Sequence, residues 1–239
     1  FGVSALPSVT RAFQTGDSQK LKRTVEAVLR ITFLTALPMG VGISVLAQPT
    51  ALLIYGARPG TVIVGRVLTT LGAASVFAAL CGPLNSILQA MGHVELPVVL
   101  TLIGLFVKAV LDYTLAAVPR VNVLGGAVGT LVCYALASVL ACIAIRRIAG
   151  VKIDFFSTFK KPFLASVCCG VAALLTHKAW CAVLPESRFS ALPAVFLGAL
   201  IYVVFLLIAR GICEEDIKAL PNGEKITKRL EKYLQKTGG

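Results

Sequence analysis

Lys108 and Asp112 stand four residues apart in the apolar stretch LPVVLTLIGLFVKAVLDYTLAAVP, and Asp112 is the one acidic residue inside any such stretch of the chain. On a helix this spacing puts both side chains on one face, where each can neutralise the other. Charges at membrane depth are costly and face a protein interior or water, so the pair is a candidate for transport or ion coupling. Two plainer readings stand beside it: a self-paired structural bridge, or an Asp112 that reaches the nearby outer surface. A second polar group lies in CGPLNSILQAMGH, where Asn85 and Gln89 share a face one turn apart. Pro83 just before them removes a helical hydrogen bond and bends the segment, freeing a carbonyl that a cavity or neighbouring helix can use. Pro38 sits similarly in LPMGVG, with Gly40 and Gly42.

Other residues are less suited to chemistry. The glycines of GGAVG, residues 125–129, favour close helix contact or bending. His177, Lys178 and Trp180 in HKAW fit an interfacial belt. Seven cysteines (Cys81, Cys133, Cys142, Cys168, Cys169, Cys181, Cys213) lie in or beside apolar runs, without a C-x-x-C pair or a histidine at ligand spacing. They read as polarizable helix filler, and no metal site or cofactor is expected. Phosphate-binding loops, H-E-x-x-H and G-x-S-x-G are absent from the sequence, and no pair of groups is placed for acid–base or nucleophilic work, so the chain reads as a non-enzyme.

The elements that must carry these residues follow from composition. Of 239 residues, 57% are hydrophobic and 14% charged, more apolar side chain than a globular surface tolerates. The apolar residues fall into six runs, 31–56, 67–91, 97–119, 123–145, 162–184 and 190–210. Each supplies the roughly 20 residues a helix needs to cross a hydrocarbon core of about 30 Å. Lipid cannot satisfy backbone N–H and C=O groups, and the runs lack period-2 polar alternation, so the expected fold class is an all-α membrane protein with six transmembrane helices. Residues 1–7 (FGVSALP) read as the end of a further apolar segment, and the chain as part of a longer protein.

Charge orients the runs. Arg11, Lys20, Lys22, Arg23 and Arg30 precede the first run, Arg146, Arg147, Lys152, Lys160 and Lys161 lie between the fourth and fifth, and seven more Lys and Arg follow the sixth. The opposite connections hold only Arg58, Arg66, Arg120 and Arg188. This bias predicts that both ends are cytoplasmic. The formal net charge of +12 is then an orientation signal that also suits anionic lipid head groups, and nucleic acid is not an expected partner. In the tail, Glu214, Glu215 and Asp216 suit a helix N-terminus, Pro221-Asn222-Gly223 a break, and Ile226, Leu230, Tyr233 and Leu234 one apolar face of a second helix.

The order of these features resembles a known family. ALPSVTRAFQTGD (5–17), LPMGVGISVLAQPTALLIYG (37–56), NSILQAMGHVELPV (85–98), LGGAVGTLVCYAL (124–136) and EEDIKALPNGEKI (214–226) are similar to polysaccharide and oligosaccharide flippases of the stage V sporulation protein B type. Their superfamily also holds multidrug and toxin extrusion transporters and lipid II flippases. The resemblance runs over essentially the whole chain and implies a two-lobed protein of about fourteen helices around a central cavity, working by alternating access. The six runs would be its helices nine to fourteen, and the partner of this chain would be the N-terminal lobe of the same protein. Runs five and six would form a groove for a lipid tail.

The expected organisation is therefore the end of a preceding transmembrane helix and a basic cytoplasmic linker helix at 1–30, four transmembrane helices at 31–145, a basic cytoplasmic loop at 146–161, two further transmembrane helices at 162–210, and a cytoplasmic amphipathic tail at 211–239. The implied function is translocation of isoprenoid-linked saccharides for the cell wall, spore wall or surface polysaccharide. Asn85, Gln89, Lys108 and Asp112 are the expected lining of the path, and Pro38 and Pro83 the expected bending points. A cation-coupled multidrug exporter of the same fold and a non-transporting membrane scaffold are the alternatives.

Overall fold

The computed structural model describes residues 2–118, 123–150, 155–183, 196–197 and 200–202, and every regular element among them is helical. The tail at 211–239, Arg120, Arg188 and most of the sixth apolar run lie outside the described residues. Helix α1 (Gly2–Gln14) turns at Thr15-Gly16 into α2 (Ser18–Val45), whose first turn is capped by Asp17 accepting a hydrogen bond from the Lys20 amide at 3.0 Å. Short α3 (Ala47–Tyr55) precedes α4 (Thr61–Ala90), α5 (Glu95–Ala116), α6 (Val123–Ala149) and α7 (Phe155–Val183). Four of these, α2, α4, α5 and α6, are long and apolar enough to cross a membrane, so the chain is an all-α, multi-pass membrane protein.

The first apolar run differs in its helix limits from the run read as 31–56. The expected linker helix and the first run are one continuous helix, α2, which begins 13 residues before the run because Asp17 starts the ladder and the polar residues after it are good helix formers. It then stops at Val45. The reason is Pro49, which has no N–H to give the Val45 carbonyl and whose ring crowds that position. Hydrogen bonds from the Leu46 amide to Gly42 O (3.0 Å) and from the Thr50 amide to Leu46 O (2.9 Å) bracket the break.

The long helices form a row. In order of contact it runs α5, α6, α4, α2, α7, with α1 packed on both α4 and α2, and α3 chiefly on α4. Between helices in lipid, close approach and side-chain hydrogen bonds do the holding, since burial against lipid tails gains little. The α2–α4 seam closes at Gly40 and Gly72, where an added Cβ would lie 2.8 Å from Gly72 O or 2.9 Å from Gly40 O. Ser44 Oγ donates across it to Thr69 O at 2.9 Å. At the α4–α6 seam Ser138 Oγ donates to Phe77 O at 3.1 Å and lies 3.3 Å from Cys81 Sγ. Bonds of this kind contribute on average about 0.6 kcal/mol each.

Successive long helices alternate in direction, which gathers one end of each into a single apolar cluster: Leu21, Val25 and Leu29 of α2, Leu84, Ile87 and Leu88 of α4, and Ala141 and Ile145 of α6. The start of α7 joins them, with the Phe159 ring edge-on to Phe33 at 5.2 Å. Lys20, Arg23, Arg146, Arg147 and Lys160 therefore sit at one end of the row, and Arg58 and Arg66 at the other.

Candidate functional site

Leu80, Leu84, Ile87 and Leu88 of α4, with its C-cap Met91, are buried on one side. The other side carries Gly82, Asn85, Ser86 and Gln89, spaced three, four and seven residues from Gly82, with Gly82 and Gln89 exposed and the other two half-buried. Neither amide side chain, of Asn85 or of Gln89, has a hydrogen-bond partner among the described residues, so both offer donor and acceptor groups outward. Pro83 lies inside the continuous helix. Since proline has no N–H, the carbonyl of Ala79, an exposed residue, lacks its intrahelical donor and adds a backbone acceptor to this part of α4. The helix ends at a glycine: Gly92 takes φ +86°, a conformation that costs other residues, and the His93 amide reaches back to Leu88 O at 3.1 Å.

Lys108 and Asp112 are paired as their spacing predicts, Nζ to Oδ2 at 2.5 Å. Their setting could not be read from spacing alone. Side chains of both are about one-third exposed, 28% and 33%, and both lie against α6. An added Cβ at Gly129 would fall on Asp112 Oδ1 and within 3.4 Å of Lys108 Cγ, so the pair is seated where α6 has no side chain. Oδ1 itself is buried without a hydrogen-bond partner among the described residues. The rest of the seam is equally close: a Cβ at Gly104 would meet Cys133 O at 2.9 Å, and one at Gly125 would meet Leu115 Cβ at 2.8 Å. The GGAVG glycines Gly125 and Gly129 thus serve packing.

The two polar groups are not brought together. No hydrogen bond or ion pair joins Asn85 or Gln89 to Lys108 or Asp112 among the described residues. Counted from the α4–α5 turn, Lys108 lies eight residues deeper along its helix than Asn85 does along its own, about 12 Å at 1.5 Å per residue. Pro38 is half-buried inside α2, and the carbonyl it deprives of a donor, that of Leu34, accepts from the Tyr202 hydroxyl at 2.5 Å. Tyr202 had no signal in the sequence, because its role depends on a partner 168 residues away.

A family model described as lipid II flippase MurJ matches residues 1–203. Among curated relatives, all from Bacillus subtilis (strain 168), the uncharacterized membrane protein YabM is 22% identical over 98% of this chain and 44% of its own length. Stage V sporulation protein B is 23% identical over 90% of this chain and 40% of its own length. Lipid II flippase MurJ is 26% identical over 63% of this chain and 27% of its own length. The chain thus spans less than half the length of the curated relatives it matches.

Proposed function

This chain belongs to the lipid II flippase MurJ family, and from that premise we propose that it forms the C-terminal part of a flippase that carries isoprenoid-linked saccharides across the membrane by alternating access. The observation that carries the reading is the outward polar side of α4. The side chains of Asn85 and Gln89 have no hydrogen-bond partner among the described residues, and the Ala79 carbonyl faces a proline in place of its usual N–H donor, on a helix otherwise apolar enough to span a bilayer. An unpaired polar group facing hydrocarbon costs several kcal/mol. Such a side belongs against water or a polar head group, as the wall of a translocation path requires.

In this reading Asn85 and Gln89 line the cytoplasmic half of the path and hydrogen-bond saccharide hydroxyls. Lys108 and Asp112 sit nearer the outer side, where the pair either meets the head group or couples transport to an ion. Pro38 and Pro83 are the bending points. Six spanning helices of the chain form part of an assembly of about fourteen, with both ends of the chain cytoplasmic. The lipid portion stays in hydrocarbon, and no chemical bond is made or broken.

The test is flipping of a fluorescent isoprenoid-diphosphate-linked saccharide in vesicles holding the full-length protein. Replacing Asn85 and Gln89 by Ala is expected to reduce the rate at least tenfold, and the double change Lys108→Gln, Asp112→Asn to do the same. Unchanged flipping by either variant removes that pair from the path. Efflux of small amphipathic cations without saccharide flipping would replace the reading with the drug-exporter alternative.

A further inference from the structure

The hydrogen bond from the Tyr202 hydroxyl to the Leu34 carbonyl spans two distant parts of the chain. In an α-helix the carbonyl of residue 34 is the acceptor for the N–H of residue 38. Residue 38 is proline and has no N–H. The vacancy is therefore written into α2, and its occupant comes from a segment 168 residues later. Packing holds the tyrosine in place, since it is 9% exposed and clusters with Ala165 and Cys169 of α7. Its ring is fixed beside α7 while its hydroxyl reaches α2.

We propose that Tyr202 is a positioning residue for the Pro38 bend, a detachable substitute for the amide that proline lacks. While the hydroxyl is docked, the bend is satisfied without water. When Tyr202 withdraws, the Leu34 carbonyl is left facing an apolar medium or must recruit a new donor. A change of bend in α2 and a displacement of the Tyr202 segment are thereby coupled, because each alters the hydrogen bond the other needs. The proposal rests on Pro38 as a bending point, but neither of its tests depends on transport.

Two measurements on the full chain in lipid nanodiscs decide it. The first is a thermal-unfolding cycle of Tyr202→Phe, Pro38→Ala and the double variant. Tyr202→Phe alone is expected to lower the midpoint by about 2–4 °C. Combined with Pro38→Ala it is expected to add no measurable loss, since an alanine amide then serves Leu34. Equal losses with and without Pro38→Ala would overturn the proposal. The second is the infrared band of a Leu34 carbonyl carrying an isotope label. Tyr202→Phe, which removes a single oxygen, is expected to move that band to higher wavenumber; an unmoved band would overturn the proposal even if Pro38→Ala fails to fold. No flipping by the unaltered full-length protein together with the expected cycle counts against the transport reading alone, and a flat cycle with intact flipping counts against the clasp alone.

Discussion

Asp112 has one oxygen on Lys108 and one buried without a partner among the described residues, and the residue that makes room for it is a glycine on another helix. Spacing revealed the pair, because i, i+4 geometry is local. The glycine beneath it depends on the register of α5 against α6, which no local pattern encodes. Gly129→Ala should displace the carboxylate and cost about 1–3 kcal/mol, read as a lowered unfolding midpoint. The same change in an Asp112→Ala background should cost much less. For the pair itself, Lys108→Gln or Asp112→Asn alone leaves a lone charge at membrane depth, a cost of about 2.5–3.5 kcal/mol on insertion scales. The double variant should therefore be more stable than either single one, measured by the same melts. If the singles are no worse than the double, the two charges do not support each other.

Helices were legible as elements because 20-residue apolar runs in lipid have no other option. Their limits were less so. Hydropathy marks where a helix enters hydrocarbon, whereas hydrogen-bond donors and caps mark where it begins and ends, and the two disagree at both ends of the first run. Asp17 starts α2 well before the apolar residues, and Pro49 stops it inside them. Pro49→Ala should restore a donor for Val45 and join α2 to α3. Amide exchange should then show a protected N–H at position 49; rapid exchange there would mean that something else holds the break. The polar side of α4 was visible as Asn85 and Gln89 one turn apart, but its separation from Lys108 and Asp112 by about 12 Å along the axis emerged only from the hairpin geometry.

At the scale of the whole molecule, charge read from the sequence and direction read from the fold agree in one respect. The alternation of helices places Lys20, Arg23, Arg146, Arg147 and Lys160 at one end. Single cysteines introduced at positions 23, 58 and 147 of a cysteine-free full-length protein give a direct check in intact cells. An impermeant thiol reagent added outside should label position 58 and spare 23 and 147; the reverse pattern would invert the proposed orientation. The arrangement of helices in single file has a mechanical consequence of its own. Among the described residues the file has four joints, α5–α6, α6–α4, α4–α2 and α2–α7, and of these α4–α2 is braced by α1 and α3, which touch both of its helices. Small rolling motions at the joints, each within the tolerance of its own contact, add along the file. Rolling shared among the unbraced joints would therefore swing α5 relative to α7 while the α2–α4 joint moves as one piece and no contact comes apart.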